Sequence, residues 1–151
     1  MFSVGKLFAL AAIFALVLGV ARWPTLGTGY YEITIKNRSY GFGPDYWAFS
    51  VGAIFAVFAA VYYWFPILFS RSLSFWVSHL HFWLSALSAF GFLLLAPGLQ
   101  ALIAPRDSAW SSQRAIMAVL GVATISTILF LVAQFIFVVS FFWSAIYGKK
   151  T

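Results

Sequence analysis

Residues 47–69 read WAFSVGAIFAVFAAVYYWFPILF, an apolar run with no charged residue. The hydrocarbon core of a bilayer requires about 20 apolar residues in helical form. Aromatic side chains lie at both ends of the run, Trp47 at the start and Tyr62, Tyr63 and Trp64 near the end. Tryptophan and tyrosine are enriched where a membrane helix meets water. The stretch therefore predicts a membrane-crossing helix, which we place at residues 46–69.

The composition of the whole chain supports the same class of protein. Of its 151 residues, 64% are hydrophobic and only 8% are charged, whereas a soluble domain has about a quarter of its residues charged. We therefore predict one integral membrane domain over residues 1–151. Cysteine is absent from the sequence, which excludes disulfides and thiolate metal sites. The net charge of +6 comes from scattered residues, so it indicates contact with lipid headgroups rather than nucleic acid.

Three further apolar runs predict helices at residues 3–21, 79–99 and 115–147. The first run follows Lys6 and resembles a secretory signal peptide, with Gly19-Val20-Ala21 as a weak cleavage site. We interpret it instead as the first membrane helix. The predicted fold is thus an all-α membrane protein with four transmembrane helices. An even number of helices places both termini on one side, but the distribution of Lys and Arg does not establish which side.

The polar segment 22–45 separates the first two predicted helices. Tyr30–Ile35 is rich in strand-forming residues, and Ser39–Phe42 follows after Lys36-Asn37-Arg38, which could form a turn. This pattern predicts a small β-hairpin.

Small residues recur every fourth position in the second predicted helix, at Ala48, Gly52, Ala56 and Ala60. Such a stripe allows close approach of another helix. The stripe is explained either by packing within this chain or by docking of a partner protein.

Gln134 is the one strongly polar side chain deep in the last helix, and we expect it to hydrogen-bond to a neighbouring helix.

The residue pattern offers little catalytic chemistry. No acidic residue lies well inside an apolar run, where proton-coupled transporters usually place one. Asp45 suits a helix N-cap or first turn. The two histidines, His79 and His81, are the only ones in the chain. Positions two apart on a helix point about 200° from each other, so they cannot bind one metal together. We interpret both as residues of the membrane interface.

Several motifs taken together resemble the large catalytic subunit of the haem–copper terminal oxidases, cytochrome c oxidase subunit I. The resemblance covers about residues 43–145 and corresponds to the last three helices of that family. The helix before them corresponds weakly to residues 3–21. The matching motifs are Ser50-Val51-Gly52-Ala53-Ile54-Phe55-Ala56, Tyr62-Tyr63-Trp64-Phe65-Pro66, Leu80-His81-Phe82-Trp83, Gly98-Leu99 and Pro105-Arg106.

The same resemblance implies that the family's cofactor ligands are missing here. The family's haem-ligating histidines correspond to the segment Pro44–Trp47, and residues 1–78 contain no histidine. Lys36 and Asn37 replace a His-Asp pair near the family's magnesium site. Of two arginines that contact haem propionates, only Arg106 remains, because the second is Asp107. His81 corresponds to a family histidine that lies away from the haems.

Three functional hypotheses follow. The first is a non-catalytic membrane subunit of a respiratory terminal oxidase or related redox complex. It would bind no cofactor alone, would pack against catalytic and other subunits through the small-residue stripe, and would leave haem and copper to those partners. The second is a split subunit I fragment that completes an active centre, with Arg106 on a haem propionate. The third is a small four-helix carrier or binding protein. The residues do not establish whether the chain belongs to an enzyme.

By the family's topology, both termini would face the inside of a bacterial, archaeal or mitochondrial inner membrane.

Overall fold

The computed structural model describes residues 3–22, 31–35, 38–42, 44–103 and 109–150, and it describes side chains for 3–21, 47–91, 117–118 and 120–150. The chain forms four α-helices with a pair of strands between the first two. In chain order the elements are α1 (Val4–Arg22), β1 (Tyr31–Ile35), β2 (Arg38–Phe42), α2 (Pro44–Phe69), α3 (Phe75–Ile103) and α4 (Ala109–Tyr147).

The four predicted helices are present, and three of them, α2, α3 and α4, are longer than predicted. α3 begins at Phe75 rather than residue 79, and α4 begins at Ala109 rather than 115. Backbone hydrogen bonding continues a helix through polar residues, so an apolar run gives only a lower limit of its length. In the described part of the chain, three segments are long and apolar enough to cross a membrane, namely Val4–Ala21, Trp47–Phe69 and Leu120–Tyr147. The chain is therefore an integral membrane protein of the all-α class.

The strands β1 and β2 form the predicted hairpin. They pair in antiparallel fashion, with Tyr31 opposite Phe42 and Ile35 opposite Arg38. The following helix α2 begins at Pro44, a residue favoured at the first helical position because its missing N–H leaves no donor unsatisfied there. Asp45 therefore lies in the first turn of α2.

The chain comprises two compact units, residues 1–64 and 65–151. The expectation of one domain for the whole chain stays a prediction. In the first unit, Phe8 of α1 is fully buried and contacts three rings of α2. The distances between ring centroids are 5.4 Å to Phe55, 5.3 Å to Phe58 and 5.5 Å to Tyr62. These aromatic contacts join α1 to α2 at one end of their interface.

Two glycines allow α1 and α2 to approach closely at the other end. A Cβ atom added at Gly52 would lie 2.8 Å from the Leu16 side chain and 3.3 Å from the Ala12 carbonyl oxygen of α1. A Cβ added at Gly19 would lie 3.3 Å from both Ala48 and Phe49 of α2. Small residues stabilise such helix pairs in membranes because close backbone approach increases van der Waals contact.

In the second unit, α2 ends and α3 begins beside the end of α4. Ser70 follows α2 in the left-handed conformation, with a φ of 50°, which is a common way to end a helix. Phe65, in the last turns of α2, packs on Phe141 of α4 with ring centroids 5.0 Å apart. The next residues pair with the end of the chain, since the Ser72 N–H donates to the Lys149 carbonyl at 3.0 Å.

Gly52 offers a direct test of the α1–α2 contact. We expect Gly52→Leu to lower the free energy of unfolding by about 1–3 kcal/mol, because the larger side chain overpacks against α1. Gly121→Leu in α4 is the matched control, since a Cβ at Gly121 meets no atom within 4 Å. Denaturation with sodium dodecyl sulfate in mixed micelles, followed by circular dichroism, measures both variants. Equal losses in the two variants would contradict this packing.

Candidate functional site in the polar contact between α3 and α4

A row of polar side chains covers the buried face of α3. Ser78, His81, Ser85 and Ser88 are all buried. Their spacing of three, four and three residues places them on one face of the helix. Small hydroxyl side chains allow the backbone of a neighbouring helix to approach and also supply hydrogen bonds. We refer to these four residues as the polar face of α3.

Gln134 is the residue of α4 that hydrogen-bonds to this face. Its Nε2 atom donates to the Ser85 hydroxyl oxygen at 3.5 Å, and its side chain lies beside His81. The expected hydrogen bond between Gln134 and a neighbouring helix is thus confirmed. One amide therefore contacts two members of the polar face of α3.

His81 lies inside this contact, so its side chain does not face lipid headgroups. Its side chain is 0% exposed, and its ring stacks on Phe137 of α4 with centroids 4.8 Å apart. The interpretation of His81 as an interfacial residue is wrong. Because α3 begins at Phe75, one turn earlier than the apolar run indicated, His81 lies in the second turn and its side chain meets α4.

His79 has a different environment, as the spacing of the two histidines requires. It is half-buried, and its Nδ1 atom lies 2.9 Å from the Phe75 carbonyl oxygen one turn earlier. The ring centroids of His79 and Phe75 are 4.0 Å apart. The two imidazoles therefore do not converge on a common point.

Two serines of the polar face of α3 differ in their hydrogen bonding. The Ser88 hydroxyl donates to the Ser85 carbonyl oxygen at 2.9 Å within α3. The buried Ser78 hydroxyl has no hydrogen-bond partner among the described residues. Ser78 therefore contributes its small size, and not a hydrogen bond, to the polar face of α3.

The residues predicted from the family resemblance lie elsewhere. Pro44, Asp45, Tyr46 and Trp47, which align with the haem-ligating segment, form the first turn of α2. Arg106 and Asp107 lie outside the described residues, as do Lys36 and Asn37. Within the described part of the chain, no group of three or more His, Asp or Glu residues could hold a metal ion.

The small-residue stripe of α2 is divided between two environments. Ala48 and Gly52 are buried and face α1, so packing within the chain accounts for these two. Ala56 is exposed and Ala60 is half-buried. Docking of a partner protein at this stripe stays a prediction, and Ala56 and Ala60 are the members that remain accessible for it.

Sequence reasoning missed the polar face of α3. The signal was present, because Ser78, Ser85 and Ser88 recur at helical spacing within an apolar run. His81 belongs to the same series, which its interpretation as an interfacial residue did not include.

Comparison with known proteins supports part of the family resemblance. A segment of 82 residues is 28% identical to cytochrome c oxidase subunit 1 of Candida albicans and covers 54% of this chain and 15% of that protein. The subunit 1 of Debaryomyces hansenii is 28% identical over 86 residues, or 57% of this chain and 16% of the relative. The subunit 1 of Yarrowia lipolytica is 30% identical over 82 residues, or 54% and 15% respectively.

These similarities are distant and partial. The chain spans only about 15% of the length of the curated relatives that it matches. No protein-family model matches the chain, and no solved structure matches it. The chain is thus a helical membrane protein with a limited similarity to an oxidase subunit.

A double-mutant cycle tests the hydrogen bond between α3 and α4. We expect Gln134→Leu to lower the free energy of unfolding by roughly 0.6–2 kcal/mol, the range measured for interhelical hydrogen bonds in membranes. Ser85→Ala should remove less once Gln134 is already leucine, because the two changes share one interaction. Thr127→Val is the control, since the Thr127 hydroxyl donates to the Ala123 carbonyl oxygen of its own helix. Additive effects in the cycle would contradict the contact.

The two histidines should differ in their contribution to stability. His81→Ala removes a fully buried ring and leaves a cavity, and we expect a loss of about 2–4 kcal/mol by analogy with other large-to-small changes. His79→Ala removes a half-buried ring from the surface of α3, and we expect a loss below about 1.5 kcal/mol, the worth of one hydrogen bond. Unfolding in mixed micelles measures both variants. A greater loss at His79 would refute the assignment of His81 to the helix contact.

Proposed function

We propose that this chain is a non-catalytic membrane subunit of a respiratory terminal oxidase or a related redox complex. It resembles a C-terminal piece of cytochrome c oxidase subunit 1 that no longer provides haem ligands. The observation that carries the proposal is the similarity to subunit 1 over 54–57% of this chain, in a sequence whose residues 1–78 contain no histidine. His81, in the matching Leu80-His81-Phe82-Trp83 motif, packs on Phe137, a role in helix packing that suits a position away from the haems.

The sequence supports the absence of a resident haem. Haem iron in oxidases of this kind is held by imidazole nitrogen. The segment that aligns with the ligands is Pro44-Asp45-Tyr46-Trp47, and the only other histidine, His79, contacts the helix turn before it. A fold can be retained while the site that it once carried is lost. Haem and copper would therefore belong to the catalytic partners of this chain.

The exposed side chains are consistent with a subunit enclosed by lipid and by other subunits. Large apolar residues are exposed along the membrane-spanning part of α4, where Leu131 is 61% and Phe135 is 70% exposed. In water such a surface would aggregate, whereas lipid tails or partner helices accommodate it. Ala56 and Ala60 of α2 provide a small-residue surface where a partner helix could approach. By the topology of the family that the chain resembles, both termini would lie on the inner side of the membrane.

Isolation of the chain with its partners tests this proposal. A gentle detergent extraction through a terminal tag is followed by native mass spectrometry and a reduced-minus-oxidised spectrum of the same fraction. We expect a multi-subunit complex with haem bands, in which the haem maps to other chains. A chain that is repeatedly isolated alone and without haem would contradict the proposal.

Substitution of Arg106 separates an accessory subunit from a split catalytic subunit. If the chain is non-catalytic, Arg106→Leu should leave the haem spectrum and potential of the purified complex unchanged, with Arg114→Leu as a matched control. A shift caused by Arg106→Leu alone would favour the fragment that completes a haem–copper centre, because a guanidinium pairs strongly with a propionate carboxylate.

A further inference from the structure

The end of the second unit brings three basic residues together. The residues around Arg71 run antiparallel to the end of the chain, with Arg71 opposite Lys150 and the Ser72 N–H bonded to the Lys149 carbonyl at 3.0 Å. The Arg71 guanidinium also donates to the Ile146 carbonyl oxygen in the last turn of α4. Arg71, Lys149 and Lys150 thus form one group, which we refer to as the basic cluster.

Gly148 makes this arrangement possible. A Cβ atom added there would collide with the Ser144 carbonyl oxygen and would lie 3.1 Å from the Ser72 carbonyl oxygen. The Gly148 N–H donates to Ser144 at 2.9 Å, so the chain leaves α4 in a tight turn. The position of the two lysines therefore follows from backbone contacts and does not depend on their own side chains.

The basic cluster has no acidic neighbour among the described residues of its unit. The described residues of this unit, 65–103 and 109–150, contain no Asp or Glu. Lys149 and Lys150 are exposed, and Arg71 is half-buried. Part of the positive charge is balanced by the negative end of the α4 dipole through the Arg71 contact, but the two lysine ammonium groups remain available for a mobile anion.

Exposed aromatic residues lie at the same end of the unit. Trp76, in the first turn of α3, is 81% exposed, and Trp143 and Tyr147, in the last turns of α4, are also exposed. Trp143 and Tyr147 contact each other with ring centroids 4.8 Å apart. Such rings mark the depth of the lipid headgroups. The basic cluster is therefore positioned where phospholipid phosphates are located.

We propose that Arg71, Lys149 and Lys150 form a binding site for the phosphate of an anionic phospholipid. Basic groups between membrane helices bind anionic headgroups, with each cation near the surface contributing to the attraction. The ammonium groups of Lys149 and Lys150 contact the phosphate, Arg71 holds them beside α4, and the exposed rings of Trp76 and Trp143 lie against the acyl chains. The proposal requires a membrane protein only and does not rest on membership of a redox complex.

Native mass spectrometry of the full chain tests the site. The chain carries its tag at the N-terminus, and detergent micelles are titrated with phosphatidylglycerol or phosphatidylcholine of identical acyl chains. We expect the wild-type chain to bind phosphatidylglycerol more tightly. The variant K149Q/K150Q should lose up to about fivefold in affinity for phosphatidylglycerol per lysine, and its affinity for phosphatidylcholine should change little. Because the K149Q/K150Q variant alters side chains only, the backbone contacts of residues 148–150 stay in place.

A variant with the same change in net charge is the control. K6Q/R38Q removes two cations from the other unit, so it should keep the preference for phosphatidylglycerol. Equal binding of the two lipids by the wild-type chain would overturn the proposal, as would equal losses in the two double variants.

Inorganic phosphate distinguishes the source of the ligand. Failure of millimolar phosphate to displace the lipid supports a lipid site, whereas full displacement at that concentration assigns the site to a soluble phosphate instead.

Discussion

Helices in a hydrocarbon solvent gain nothing from hiding apolar side chains from water, so their association depends on close approach and on interhelical hydrogen bonds. The contact between α3 and α4 satisfies both requirements with one set of residues. Ser78, Ser85 and Ser88 are small enough for α4 to approach the buried face of α3. Gln134 then bonds to Ser85 across the contact. Without this hydrogen bond, the association of α3 and α4 would depend on packing alone.

The first unit meets the same constraint with different residues. α1 and α2 are joined by rings around Phe8 at one end and by the space left at Gly19 and Gly52 at the other. The described contacts between α1 and α2 are made by aromatic rings and at small residues. These contacts depend on shape, whereas the second pair adds a hydrogen bond between side chains. A pair fixed by shape depends on every atom at the closest approach, and Gly52 is that point.

The sequence allowed the elements to be predicted more accurately than their contacts. Apolar runs located four helices, and the alternation at Tyr31–Ile35 located the hairpin, since each is a property of local sequence. A helix that is apolar on all sides carries no contrast between a face toward lipid and a face toward protein. Small and polar residues were the remaining signals. Gln134 was interpreted correctly because it stands alone, whereas His81 was misassigned because the start of α3 was placed one turn too late.

The packing also explains how such a chain could lose cofactor ligands and keep its helices. The contacts of α3 with α4 and of α1 with α2 are made by serine, glutamine, glycine and phenylalanine side chains, together with His81. These contacts lie outside the segment Pro44–Trp47, where the resemblance to subunit 1 places the haem ligands, so they do not require a histidine there. The His81 ring fills the α3–α4 contact, a role that is independent of haem.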